Sequence, residues 1–452
     1  MPPTDLLDPP PEAAVFPSES PAIAAVPDQR SVFSAWWPLA TSWLFMGLEL
    51  PAVSAALARL PDPTISLAAY GGVIFPLALL IESPIIMLLS ASTALSKDLR
   101  SHQLVGRFMW SAGLGFTALH ALVAWTPLYD VVVGNILGVP DAIREPARIG
   151  MRIMTPWTIA IGFRRYQQGL LIRFGRSKLV GAGTAVRLLT NVSVLTAGVL
   201  TGRLPGYVIG PLAVIASVVA EAIFAGVCAR AIERGPLRAA REVTPVLTQK
   251  RFLAFYLPLL ISPLIVFLAM PLTSAAISRM PRALESLAVW PALTGIVFTL
   301  RSTGFALNEV VVAMLDRPGA RPALERFTRM LALVTSGILL ALAATPLGRA
   351  WFTNVAGLPE NLVALAVIGI VISVPMPALS TAQSLWQGAL VHAHKTRGVT
   401  ESVAVFLVVT GIVLDAGIVF GRVTGLYVGL VAFVLGNVAQ ALWLRMRAQE
   451  AA

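Results

Sequence analysis

Ionisable side chains interrupt several long apolar stretches of this sequence. They are Glu49, Glu82, Arg152, Arg164, Arg165, Arg187, Glu221, Arg301, Glu309 and Asp415. A charge in hydrocarbon costs a few kcal/mol, so such a side chain usually faces a cavity or a partner of opposite charge. Arginine suits phosphate and carboxylate groups because its planar guanidinium donates two parallel hydrogen bonds and stays charged. The pattern therefore indicates either an anion-binding site inside a membrane or a set of buried ion pairs.

Arg164 and Arg165 lie at mid-membrane depth. Arg173 and Arg176 mark the end of their helix, so at about 1.5 Å per residue the pair lies roughly 12 to 18 Å inside it. Adjacent residues differ by about 100° around a helix, so both reach one cavity only if it is broad. Otherwise one of them binds a neighbouring carboxylate. Substrate binding and structural pairing are equal alternatives for these two arginines.

The other ionisable residues divide by depth. Those near the ends of predicted spans can reach the membrane surface by snorkelling, and these are Arg152, Glu221, Glu309 and Asp415. The residues that we expect to bind a small anionic substrate are Arg164, Arg165, Arg187, Arg301, Gln168 and Gln387. The carboxylates that we expect to act in coupling or gating are Glu49, Glu82 and Glu309.

The composition identifies the elements that must hold these side chains. Of 452 residues, 56% are hydrophobic and 13% are charged, a balance too apolar for a soluble globule. Spanning a bilayer takes about 20 apolar residues, and continuous stretches of this kind exclude the ten-residue alternation of a membrane barrel. They begin near Phe33, Leu67, Gln103, Ala147, Lys178, Gly206, Arg251, Leu284, Ala323, Leu362, Val399 and Leu426. The sequence predicts an all-α polytopic membrane protein with twelve transmembrane helices.

The sequence gives little support for disulfide, metal or enzyme chemistry. The lone Cys228 excludes an internal disulfide, and the four histidines form no metal-ligand pattern. Phosphate loops and nucleophile elbows are missing from the sequence, so we expect neither an enzyme nor a cofactor or metal. Residues 1–30 are rich in proline and lack the features of a signal peptide, which predicts a disordered tail.

The net charge of +11 is distributed unevenly. One set of loops carries more than twice the Lys and Arg of the other, and this excess marks the cytoplasmic side. The charge therefore predicts topology, with both termini cytoplasmic, and not a nucleic-acid partner. Frequent arginine and alanine are typical of a bacterium with a GC-rich genome. We expect a monomer in the bacterial inner membrane, whose partners are the lipid bilayer and a small anion.

The sequence repeats itself. "TPLYDVVVGNILGVPD" at 126–141 recurs as "TPLGRAWFTNVAGLPE" at 345–360, and "SAALARLP" at 54–61 recurs as "SAAISRMP" at 274–281. The shift is 220 residues early in each half and 219 later. Because each half holds six helices, an even number, the halves form a parallel repeat about an axis along the membrane normal.

This repeat predicts the domain organisation. We expect a tail at 1–30, a first six-helix bundle at 31–232, a cytoplasmic linker at 233–250 and a second bundle at 251–447. Two such bundles rock about a central site in alternating access. The shift of 220 also places Glu82 opposite Ser302, beside Arg301. We hypothesise a salt bridge between Glu82 and Arg301 that joins the halves in one state, with a partner inside each bundle as the equal alternative.

Several ordered motifs resemble the progressive ankylosis protein family. They are "LAAYG" at 67–71, "SKD" at 96–98, "GLLIRFGRSKLVG" at 169–181, "MPLTSAAISR" at 270–279, "NEVVVA" at 308–313 and "VPMP" at 374–377. The resemblance implies a twelve-helix exporter of the fold group that includes multidrug extrusion pumps and lipid flippases. Family members are associated with efflux of pyrophosphate, nucleotides or citrate. The alternative is a multidrug-type or lipid-type exporter of the same fold group, with an uncharged or cationic substrate.

Overall fold

The computed structural model describes residues 27–242, 244–393, 395 and 397–450. Of the tail expected over residues 1–30, residues 1–26 lie outside the described residues. The first helix begins at Gln29. Within the described ranges the chain is nearly all helical and has no β-strand. The all-α class is therefore confirmed.

Twelve helical segments of membrane-spanning length follow one another, six in each half of the sequence. In chain order they are α1 (Gln29–Gly47 and Glu49–Leu57), α2 (Pro63–Glu82 and Leu88–Leu95), α3 (Leu99–Trp125), α4 (Asp141–Ile153 and Trp157–Arg173), α5 (Ser177–Thr201), α6 (Gly206–Arg234), α7 (Gln249–Ser278), α8 (Ala283–Met314), α9 (Ala320–Ala344), α10 (Glu360–Ser373 and Met376–His392), α11 (Arg397–Phe420) and α12 (Gly425–Gln449).

Eleven of these segments are long and apolar enough to cross a membrane. The exception within the described ranges is α4, which is divided at residues 154–156 and carries arginines in both parts. Proline removes a backbone donor and restricts the residue before it, so it interrupts a helix. Pro156 ends the break in α4, and Pro375, at the shift of 219, ends the break in α10. The repeat therefore extends to this break, although α1 and α2 are divided and their counterparts α7 and α8 are continuous.

The two repeated stretches at 126–141 and 345–360 form the same kind of turn. After α3 the chain makes a π-helical stretch at Asp130–Ile136, and after α9 it makes another at Trp351–Val355. Each is followed by a glycine of positive φ, 64° at Gly138 and 70° at Gly357. Glycine adopts this backbone without strain, which accounts for the repeated G-x-P spacing. We call residues 126–140 and 345–359 the paired turns, their side of the molecule the arginine-poor face, and the opposite side the arginine-rich face.

The repeat axis passes between α2 and α8 near the arginine-poor face. A Cβ added at Gly71 would lie 2.6 Å from the ring of Pro291, the residue at the equivalent repeat position. A Cβ at Gly72 would lie 3.1 Å from Leu287, the counterpart of Leu67. A residue that contacts its own counterpart lies on the twofold axis. The missing side chains at Gly71 and Gly72 thus let the two halves approach closely at this point.

The two halves exchange the first parts of their first helices. In α1, Trp36 Nε1 donates to the Thr303 carbonyl at 2.9 Å, and its ring meets Phe327 edge-on with centroids 5.4 Å apart. In α7, Tyr256 Oη donates to the Pro84 carbonyl at 2.6 Å. Each exchanged segment therefore completes a hydrophobic cluster of the opposite half.

Adjacent tryptophans test the exchanged packing. Trp36 is 6% exposed and Trp37 is 51% exposed. Trp36→Ala removes a buried ring and its hydrogen bond between halves, so we expect a loss of about 3–5 kcal/mol in the free energy of unfolding. Trp37→Ala should change it by less than about 1 kcal/mol. Thermal unfolding in one detergent measures both, and equal losses for the two variants would contradict the exchanged arrangement.

Candidate functional site

A buried cluster of charges lies inside the first half. Arg164 of α4 pairs with Glu221 of α6, with side chains 6% and 1% exposed. The other oxygen of Glu221 accepts a hydrogen bond from Gln168 Nε2 at 2.9 Å. Arg187 of α5 donates to Glu49 of α1 at 2.6 Å and lies 3.7 Å from Glu221. One carboxylate thus holds three side chains from two other helices.

Two further charges complete this cluster. Glu82 is 3% exposed and lies within electrostatic reach of Arg164, Arg165 and Arg187. Its Oε2 is buried without a hydrogen-bond partner, and so is Nε of Arg165. We call Glu49, Glu82, Arg164, Arg165, Arg187 and Glu221 the first-half charge cluster. It brings together three arginines and three carboxylates.

The helix geometry separates the adjacent arginines. Residues four apart share a helix face, so Arg164 and Gln168 both reach Glu221. Arg165 lies about 100° around the helix and points elsewhere. Among the described residues it forms no ion pair with a carboxylate, although Glu82 and Glu221 act on it through space. Arg164 is therefore paired with Glu221, whereas Arg165 has no ion-pair partner among the described residues.

A smaller polar cluster lies inside the second half. Arg301 of α8 donates to Asn437 Oδ1 at 3.0 Å, and its guanidinium lies 5.9 Å from the centroid of Phe305. Gln383 of α10 donates to the Asn437 carbonyl at 2.8 Å. Nε of Arg301 is buried without a hydrogen-bond partner. We call Arg301, Gln383 and Asn437 the second-half polar cluster; within the described chain no carboxylate pairs with its arginine.

The two clusters occupy related positions in the repeat. Gln383 is the counterpart of Arg164 at the shift of 219, and Arg301 is next to the counterpart of Glu82. The repeat thus places polar side chains at similar depths in both halves. The halves differ in charge, because Arg164 and Arg187 of the first half pair with carboxylates, whereas Arg301 faces amide and aromatic groups.

The remaining predicted site residues lie apart from these clusters. Glu309 is exposed near the end of α8, and Gln387 is half-buried on α10. Glu82 and Arg301 form no salt bridge here, because α2 and α8 meet at Gly71 and each side chain then turns into its own half. The salt bridge between halves hypothesised for one state is absent from this conformation.

Sequence reasoning missed three of the buried partners. Glu221 was expected to reach the membrane surface, and this was wrong: its side chain is 1% exposed, because two arginines and an amide hold it inside. Gln383 and Asn437 carry no charge, so a search for intramembrane charges passes over them. The repeat held a usable signal for Gln383, which aligns with Arg164.

Another polar group lies toward the arginine-rich face. His102 stacks on Tyr166 with centroids 4.4 Å apart, and Tyr166 Oη lies 2.7 Å from His102 Nε2. The second ring nitrogen of His102 contacts Ser96 at 3.1 Å, and Gln167 donates to Glu233 at 3.2 Å. The ring nitrogens and hydroxyls of this group are hydrogen-bonded to one another. It therefore fastens α3 to α4 and α6.

The fold is that of known transport proteins. It matches the inward-facing conformation of a multidrug resistance MATE family transporter of the MOP superfamily with a TM-score of 0.66 and 16% identity, over 92% of this chain and 98% of that one. The outward-facing conformation of such a transporter matches with a TM-score of 0.57 and 16% identity, over 94% and 97%. The lipid II flippase MurJ, inward closed, matches with a TM-score of 0.64 and 11% identity, over 91% and 87%.

At these identities the comparisons establish a shared fold. They confirm the wider fold group of extrusion pumps and flippases to which the sequence motifs pointed. No protein-family model matches this sequence, and no curated protein matches it.

Glu221 is the residue on which the first-half charge cluster depends. Glu221→Gln removes the carboxylate that compensates Arg164 and Arg187, so we expect a loss of about 3–5 kcal/mol in the free energy of unfolding. Glu309→Gln makes the same replacement of a carboxylate by an amide, but at an exposed position. It should lower the free energy of unfolding by less than about 0.5 kcal/mol. Thermal unfolding in nanodiscs compares the two. A Glu221→Gln protein as stable as the wild type would show that the ion pairs contribute nothing net.

Proposed function

We propose that this protein is a secondary membrane exporter of a small polyvalent anion of the pyrophosphate, nucleotide or citrate class. The observation that carries the proposal is Arg301, a cation with a buried Nε and no carboxylate partner in the described chain. An uncompensated charge in a membrane interior is costly and usually functional. A bound anion would supply the missing charge.

Arg165 strengthens the assignment from the first half. It also lacks an ion pair, whereas Arg164 and Arg187 are neutralised by Glu221 and Glu49. The available positive charge is thus divided between the halves, with Arg165 on one side and Arg301 on the other. A ligand that carries two or more negative groups can engage both arginines, which favours a polyvalent anion over a monovalent one.

The mechanism follows from where the charges lie. In the proposed cycle an anion enters between the halves, draws Arg165 and Arg301 toward itself, and is released when the halves rock to the opposite face. Glu82 lies within reach of Arg165 and competes with the anion for it, which makes Glu82 the candidate for coupling. The pair of Glu49 and Arg187 joins α1 to α5 and is the candidate gating contact. Gln168 holds Glu221 in place and supports the site indirectly.

Two further lines support this proposal. The fold is shared with transporters solved in inward-facing and outward-facing conformations, which fits alternating access. The motifs that resemble the progressive ankylosis family favour pyrophosphate, nucleotide or citrate as the substrate class. We also propose that the protein lies in the bacterial inner membrane with its arginine-rich face in the cytoplasm.

A lipid-type exporter is the second candidate. A groove of about 240 Å³ between α1 and α5 is lined by apolar side chains such as Ala52, Ala56 and Leu195. Ala52 and Ala56 lie one and two turns from Glu49, so the groove runs along the helix faces that lead to the Glu49–Arg187 pair. An acyl chain in this groove would place a polar head group near the pair.

Transport in proteoliposomes distinguishes these substrates. Pyrophosphate, citrate, a nucleotide and a cationic dye are compared side by side with one protein preparation. Arg301→Gln and Arg165→Gln should each raise the half-saturating anion concentration about tenfold or more, since each removes a charge-assisted contact. Arg326→Gln, an exposed arginine on the arginine-rich face, is the matched control and should behave as the wild type. Transport of the dye but none of the anions would reject the proposal.

The orientation is tested separately by cysteine labelling. In a Cys228→Ser background, single cysteines at Arg144 and Arg349 should react with an impermeant thiol reagent added to intact cells. A cysteine at Arg241, on the arginine-rich face, should react only after the cells are opened. Labelling of intact cells at Arg241 would reverse the assigned topology.

A further inference from the structure

Two arginines at equivalent repeat positions bridge the halves on the arginine-poor face. Arg59, just after α1, donates to the carbonyls of Asn354 at 2.6 Å and Val355 at 3.0 Å in the second half. Arg279, just after α7, donates to the carbonyls of Ile136 at 2.6 Å and Leu137 at 3.0 Å in the first half.

Each arginine also holds the end of its own helix. Arg59 donates to the Ala55 carbonyl at 2.7 Å, and Arg279 donates to the Ala275 carbonyl at 2.6 Å. The last carbonyls of a helix lack backbone partners and form the negative end of its dipole. A guanidinium satisfies them with charge-assisted bonds. One side chain thus joins the end of a helix in one half to the end of a π-helical turn in the other.

The paired turns are shaped to receive these side chains. A Cβ at Gly357 would lie 2.7 Å from Nη1 of Arg59, and a Cβ at Gly138 would lie 3.4 Å from the guanidinium carbon of Arg279. The glycines therefore provide room for the arginines as well as a positive φ. Tyr129 fastens the first turn to the start of α4, since its hydroxyl donates to the Arg144 carbonyl at 2.5 Å.

The bonds made by these arginines are suited to opening and closing. Arg59 and Arg279 are exposed and bond neutral carbonyls, and within the described ranges neither forms an ion pair with a carboxylate. When such a bond opens, water replaces the partner on both sides, so the net loss is modest. A buried ion pair could not be broken at comparable cost.

We propose that Arg59 and Arg279 are twin latches that hold the arginine-poor face shut and release together when that face opens. The close contact of Gly71 with Pro291 on the repeat axis forms a second layer of the same closure. The latches rest on the alternating access of the proposed function and are independent of its anionic substrate.

Distance measurements between spin labels test the latches without any substrate. In a Cys228→Ser background, labels at Ala142 and Asn361 report the arginine-poor face, because both are exposed at the starts of α4 and α10. A second labelled protein, with Lys178 and Arg397 replaced, reports the arginine-rich face. Both proteins are measured by pulsed electron resonance in nanodiscs.

The latch variants should redistribute these distances. Arg59→Gln and Arg279→Gln should each raise the population with a long Ala142–Asn361 distance about tenfold, and the double variant should raise it further. The Lys178–Arg397 distance should shorten in the same samples. Arg422→Gln is the matched control, because Arg422 is also exposed on this face but lies outside the paired turns. It should leave both distances unchanged.

Two results would overturn the assignment. One is a double variant with the wild-type distance distribution, and the other is an Arg422→Gln protein that opens as far as the latch variants. If the glutamine variants do not fold, Arg59→Lys with Arg279→Lys takes their place, since lysine keeps the charge and a long stem but lacks the planar fork. This pair should open the face partially, and a wild-type distribution would again reject the latches. Failure here leaves the anion assay unaffected, so the two proposals fail independently.

Discussion

The cost of placing charge in a membrane interior governs this molecule. The first half meets most of that cost internally, since Glu221 and Glu49 compensate Arg164 and Arg187 and fix α1, α4, α5 and α6 relative to one another. The second half leaves Arg301 with amide and aromatic neighbours. A compensated cluster favours a rigid bundle, whereas an uncompensated arginine favours a ligand. The same constraint thus produces ion pairs that fix the helices of the first half and leaves Arg165 and Arg301 as the candidate contacts for a ligand.

The twofold repeat makes this contrast clear. The scaffold repeats its paired turns with their positive-φ glycines, and the helix breaks at Pro156 and Pro375, at nearly constant shifts. Side chains on that scaffold diverge where they face the interior, as Arg164 and Gln383 do. At the arginine-poor face they remain alike, as Arg59 and Arg279 do. This contrast fits the two proposals, because latches that release together need equivalent residues, whereas a site for one asymmetric ligand does not.

The sequence predicted most of the fold because its signals are local or periodic. Apolar stretches predicted the twelve segments, and the 219–220 shift predicted the two halves. The sequence could not predict which arginine of the Arg164–Arg165 pair contacts a carboxylate, because that depends on how α4 is rotated against α6. Glu221 was misjudged for the same reason, since depth was estimated from the span ends and not from packing. The exchange of the first parts of α1 and α7 could not be predicted either, because an apolar stretch does not specify which half it will pack against.

That exchange has a consequence for how the protein is made. Trp36 and its hydrogen-bond acceptor Thr303 are separated by 267 residues. At a synthesis rate of about 5–20 residues per second, α1 is completed roughly 15 to 50 s before its partner exists. During this interval the first helix in the membrane has no native surface for its exchanged segment. The final fit of α1 is therefore a late event in biogenesis, which waits for the second half of the chain.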